Sequence, residues 1–156
     1  MNTGANFSPD GIYRYSLWRI WGEDNDPHLI VIGLNPSTAD ATEDDPTIRR
    51  CIGFAKREQL AGLVMLNLFA LRATDPKIML AHADPIGPQT DSVIRINCRT
   101  DSRDIIIAAW GTHGSHRGRG KQVADLIPNL RCFGKTKDGH PKHPLYLRAD
   151  TPIIDF

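Results

Sequence analysis

Two asparagines and a histidine stand where apolar runs of this chain give way to turns: Asn35 in Gly33-Leu34-Asn35-Pro36-Ser37, Asn67 after Val64-Met65-Leu66, and His143 in Lys142-His143-Pro144. A carboxamide that interrupts an apolar run carries donors and an acceptor costing roughly 1–3 kcal/mol if they are buried unmet, so Asn67 must bond a neighbouring loop or face a ligand. Asn35 has two readings, a residue that tolerates the turn before Pro36 or one that presents its amide to a site. A third apolar run ends in Trp110-Gly111-Thr112-His113, so four segments bring polar groups toward one edge. The loop from His113 to Gly120 precedes a helical pattern, and its free N–H groups suit a phosphate. It lacks the Gly-Lys-Ser/Thr ending of a P-loop, and Ser37 and Ser115 have no nucleophile-elbow context. His113, His116, His140 and His143 have no recognised metal-ligand spacing, so neither metal nor cofactor is expected.

The elements that must hold these residues alternate between strand and helix. Leu29 to Leu34, Leu63 to Leu66 and Ile105 to Ala109 are continuous apolar runs, as expected of parallel strands covered on both faces. Tyr13 to Trp21 alternates, which predicts a strand with one buried face, antiparallel or at an edge. Asp45-Pro46 reads as a helix N-cap and first helical residue, followed by Ile48, Cys51, Ile52 and Ala55 on one face. A second helix is expected over Gln89 to Asp101 with Val93, Ile94 and Ile96 inward, a third over Gly120 to Ile127, and a short strand at Arg131-Cys132-Phe133. The sum is a single α/β domain spanning 1–156, a three-layer α/β/α sandwich with a mostly parallel central sheet and right-handed crossovers. Ligands of such sheets bind beyond the carboxyl ends of the strands.

Composition limits the function classes. With 40% hydrophobic and 24% charged residues and a net charge of +1, the chain is an ordinary globular one. Its three cysteines, Cys51, Cys98 and Cys132, are far apart and support neither a disulfide framework nor a thiolate zinc site. No segment reads as a signal peptide or membrane span, so a cytoplasmic protein is expected. Charge is uneven: eight basic residues against two acids lie between Gly111 and Arg148, and four acids lie between Asp40 and Asp45. The basic segment is either solvated surface or a seat for phosphates or nucleic acid, with Arg117, Arg119 and Lys142 flanking the histidine loops.

The segments LNPSTAD, DDPTIRR, NLFALRATDP, AWGTHG and TKDGHPKHPLYL resemble the bacterial and phage proteins grouped as domain of unknown function family 1643, over nearly the whole chain. More distantly, Gly33-Leu34-Asn35-Pro36, Asn67, Trp110-Gly111 and His143-Pro144 occur in the order of the motifs of the uracil-DNA glycosylase superfamily. That likeness implies that Asn35 positions the attacking water, in the asparagine form of mismatch-specific members. It implies that Asn67 reads the Watson–Crick edge of a base and that His143 stabilises negative charge on the leaving base. The chain departs from that pattern in Leu145-Tyr146, where glycosylases carry a small residue after the first proline. It also lacks a long intercalation loop and the cysteines of an iron–sulfur cluster.

Cleaving an N-glycosidic bond develops positive charge on the sugar and negative charge on the base, which fixed neutral donors stabilise. An amide at Asn35 cannot accept a proton, so Asp40, Asp44 or Asp45 must supply the base. The resulting expectation is a nucleobase-, nucleoside- or nucleotide-processing hydrolase, acting on a free ligand or within nucleic acid. Its catalytic candidates are Asn35, His143, Asp40 and Asp45; its substrate-binding candidates are Gly33, Pro36, Ser37, Asn67, Trp110, His113, Arg117 and Lys142. The alternatives are a non-catalytic nucleotide or nucleic-acid binding module and a metal-dependent hydrolase built on the acidic cluster.

Overall fold

The structure is a computed structural model describing residues 1–156. The three apolar runs form its centre. Strand β3 (Leu29–Gly33) lies between β4 (Gly62–Asn67) and β5 (Ile105–Ala108), parallel to both. Along β3 the side chains alternate between two cores: Ile30 and Ile32 join one cluster, Leu29 and Val31 the other. Helix α1 (Pro46–Arg57) contributes Ile48, Cys51, Phe54 and Ala55 to the second cluster. Helices α2 (Pro76–Ala81), α3 (Thr90–Asn97) and α4 (Arg119–Ala124) contribute Met79, Ile94 and Val123 to the first.

This arrangement follows from the connections. The chain steps from β3 through α1 to β4 on one side, then returns across β3 to β5 on the other. The helix between β3 and β4 packs in one core cluster, and the helices between β4 and β5 pack in the other. The loops leaving β3 and its two neighbours therefore part around a crevice at the carboxyl ends of the strands, the place where open sheets of this kind bind ligands.

Around the parallel centre the sheet differs from expectation. Its order is β1-β2-β4-β3-β5-β6-β7, with β1 at Asn2–Phe7, β2 at Arg14–Ile20, β6 at Arg131–Cys132 and β7 at Ile154–Asp155. Three of the six pairings are antiparallel, so the sheet is mixed rather than mostly parallel. Neither outer strand carries an apolar run, because an edge strand paired on one side needs few buried residues. Gly4 of β1 instead leaves room for the Trp18 indole, which a Cβ there would approach to 2.2 Å.

Strand β2 is antiparallel to its neighbours, as its alternation indicated, but it lies inside the sheet, and Arg14, Tyr15, Ser16 and Leu17 are all buried. Helix α1 begins where expected, with Ile48 N–H donating to the Asp45 carboxylate at 2.8 Å. Helix α3 is shorter than its pattern, and Ile96 is 71% exposed rather than inward. Helix α2, capped by Asp75 through Lys77 N–H, was not foreseen. No helix is long and apolar enough to cross a membrane.

Candidate functional site

The parallel register sets Gly33 beside Asn67. Past those residues the two exits stay zipped: Leu68 N–H donates to Gly33 O and Phe69 N–H to Leu34 O, at 2.9 and 3.0 Å. Asn35 extends the link, its Nδ2 donating to Ala73 O at 2.9 Å, Pro36 O at 3.1 Å and Leu71 O at 3.4 Å. The third exit joins the late histidine loop, as Gly111 N–H donates to Pro141 O. Together these loops enclose a cavity of about 590 Å³.

Asn35, Asn67 and His143 all line this cavity, and so do Gly33, Pro36, Ser37, Asp45, Trp110, His113 and Lys142. Asn67 is 3% exposed, and its Nδ2 is buried with no hydrogen-bond partner. Gly33 makes room for it, since a Cβ at that position would lie 2.9 Å from Asn67 Oδ1. Trp110 is mainly a core residue that also forms pocket wall: it packs over Gly114 and Gly120 and edge-on to Phe156.

His143 caps the short 3-10 helix Pro144–Tyr146 by accepting Leu145 N–H at Nδ1, 3.2 Å away. An accepting Nδ1 carries no proton, so the neutral ring holds its proton on Nε2. The ring can be reached from solvent, yet the concave surroundings desolvate it and lower its pKa, an effect that the charge of Asp45 opposes. Asp45 combines two duties: one carboxylate oxygen caps α1, and the residue forms pocket wall.

Two expected site residues lie elsewhere. Asp40 does not line the cavity; it accepts the N–H groups of Thr42 and Glu43 and so closes its own turn, which keeps its carboxyl below the usual range. Arg117 also lies outside, its guanidinium laid on the carbonyls of His82 and Ala83. Arg119, counted with the basic surface, is 1% exposed, donates to Leu68 O and pairs with Asp91, so phosphates cannot reach it.

The acidic cluster is dispersed. Asp44 pairs with Arg19 at 2.8 Å, while Asp40 and Asp45 cap separate elements. No three His, Cys, Asp or Glu side chains converge on a point. The cysteines are free and buried, and burial raises the thiols of Cys51 and Cys98 to about 12, so neither of these two is a thiolate nucleophile at neutral pH.

Sequence reasoning missed Arg14, which lines the cavity at 2% exposure. Alternation along Tyr13, Tyr15 and Leu17 assigns it to an outward face, but β2 is covered on both sides. The hydroxyl residues Thr47, Thr74, Thr112 and Thr136 were missed as well, since lone threonines in loops give no signal.

The sequence profile of a family described as protein of unknown function (DUF1643) matches residues 14–145. No curated protein and no solved structure matches the chain.

Proposed function

The chain belongs to this family, DUF1643, and from the geometry of its pocket we propose that it is a hydrolase of a nucleobase-bearing ligand, a nucleoside or nucleotide, free or within nucleic acid, cleaving an N-glycosidic bond. The observation that carries this reading is Asn67, a buried carboxamide on the pocket wall whose Nδ2 has no partner. Whichever way it is turned, a carboxamide offers one donor and one acceptor side by side. That pair matches the C=O and N–H groups along the Watson–Crick edge of a base. The glycosylase-like order of motifs supports the reading, and helices in both core clusters favour a three-layer α/β/α arrangement of that kind.

In this mechanism Asn67 holds the base while the bond from the sugar anomeric carbon to the base nitrogen breaks. Electrons of that bond move onto the base, where His143 Nε2–H donates to the oxygen gaining negative charge. Water attacks the anomeric carbon and gives its proton to Asp45, through the carboxylate oxygen that Ile48 does not hold. Asn35, with Nδ2 fixed on loop carbonyls, has Oδ1 to orient that water. The base leaves as an anion and takes a proton from water, Asp45 returns its proton to solvent, and the products are the free base and the sugar bearing the new hydroxyl.

A non-catalytic binding module is the second reading, favoured by the same Asn35, whose Nδ2 is spent on three loop carbonyls and so has a structural task. A chromatographic screen for free-base release separates the two. The screen uses nucleosides, nucleotides and modified-base oligonucleotides with wild-type protein and Asp45→Asn. Release by wild type alone supports the hydrolase; binding without release from any substrate supports the module.

A further inference from the structure

Three arginines of this protein are buried almost completely, and two of them are paired with carboxylates. Arg19 Nε lies 2.8 Å from Asp44, and Arg119 Nη2 lies 2.6 Å from Asp91. Arg14 has no such partner. Within the protein only its Nη1 donates, to Ala39 O at 3.0 Å, and its Nε is buried with nothing to bond. Burial lowers its pKa to about 10, with the charges of Arg72 and Arg19 adding to that effect and Asp45 opposing it, so the group is still cationic at neutral pH. A buried guanidinium without an anion is strongly unfavourable, and proteins rarely retain one without use.

The unpaired cation lines the same cavity as Asn67. Lys142 and His113 rim that cavity too, and the one carboxylate among its lining residues, Asp45, already accepts Ile48 N–H. Asp45 acts on Arg14 through its charge but makes no ion pair or hydrogen bond with it, so the guanidinium has no anion in direct contact. A planar guanidinium with free N–H groups matches the paired oxygens of a phosphate. A cavity of about 590 Å³ lies within the range of small-ligand pockets.

We propose that Arg14 binds a phosphate carried by the ligand, so that the pocket takes a nucleobase joined to a phosphate in preference to a free base or neutral nucleoside. The phosphate is either the terminal group of a mononucleotide or a diester of single-stranded nucleic acid. This assignment rests on the nucleobase reading of the same pocket, but the two can fail separately.

The test is calorimetric titration of wild-type protein with the common 2′-deoxynucleosides, their 5′-monophosphates, deoxyribose 5-phosphate and short single-stranded oligonucleotides. For at least one base the monophosphate should bind about tenfold to hundredfold more tightly than its nucleoside. Arg14→Gln should erase that advantage and Arg14→Lys should keep part of it; circular dichroism checks that both variants fold, and the wild-type titrations decide the matter if either does not. Tighter binding of an oligonucleotide than of any monophosphate, with affinity falling steeply as salt rises, assigns the phosphate to a nucleic-acid backbone. Equal affinity for nucleoside and monophosphate overturns the role of Arg14 and leaves the nucleobase reading standing. Binding of deoxyribose 5-phosphate with no preference for any base does the reverse, and no binding by any probe overturns both.

Discussion

Gly33 and Asn67 face each other at the carboxyl ends of two parallel strands, so closely that a Cβ on residue 33 would lie 2.9 Å from the Asn67 carboxamide oxygen. The Cβ would also come within 2.8 Å of Met65 Cε, a flexible end that can move aside. Asn67 has less freedom, being 3% exposed. Gly33→Ala should therefore push the carboxamide off its position. We expect a stability loss of about 1–3 kcal/mol in urea unfolding and weaker ligand binding than that loss alone explains. Unchanged binding would mean that the position of Asn67 does not matter.

Asn67 itself separates function from stability. An amide nitrogen buried without a partner is a cost to the folded state, so Asn67→Leu, of similar shape, should leave unfolding stability equal or higher while abolishing ligand binding. A loss above about 1.5 kcal/mol would show instead that the amide holds the fold together.

Asp45 serves both the helix and the pocket, and two substitutions divide those roles. Asp45→Ala should cost about 1 kcal/mol through loss of the cap. Asp45→Asn keeps a good capping residue, so its stability should stay within a few tenths of a kcal/mol of wild type while base release stops. Base release that survives in Asp45→Asn would exclude this carboxylate as the proton acceptor.

For His143 the expected effect is one of pH. Its pKa in the folded protein lies below the ordinary 6.5, so the unfolded chain binds the proton more readily. The folded state is thus unpenalised above pH 6.5 and loses stability as pH falls below that value, and a protonated Nδ1 can no longer accept Leu145 N–H. Wild type should lose more stability than His143→Gln between pH 7.5 and a pH about one unit below 6.5. Parallel losses in the two proteins would remove the desolvated ring from the account.

Much of this site is legible in the sequence because parallel strands are continuous apolar runs and their exits are short. The apolar runs Leu29 to Leu34, Leu63 to Leu66 and Ile105 to Ala109 end within one residue of the strand ends at Gly33, Asn67 and Ala108, and one shared edge follows. The aspartates were less readable: Asp40, Asp44 and Asp45 are nearly adjacent, and only three-dimensional capping and pairing send Asp45 alone to the pocket. Arg14 was hidden by the alternation of β2, whose period marks one buried face whether or not the other is buried as well. The outer strands gave no signal, because their stability comes from pairing rather than from an apolar run.

If the unpartnered carboxamide of Asn67 reads a nucleobase, its own amide resonance reports the contact. Protein carrying nitrogen-15 in its asparagine side chains, with the Asn67 signal identified by its absence in Asn67→Leu, can be titrated with free bases and with 2′-deoxynucleotides. For at least one base the Asn67 amide protons should move downfield and exchange more slowly with water, as a new hydrogen bond forms. An Asn67 signal that stays in place throughout, or that moves only with phosphate and never with a base, would contradict the account.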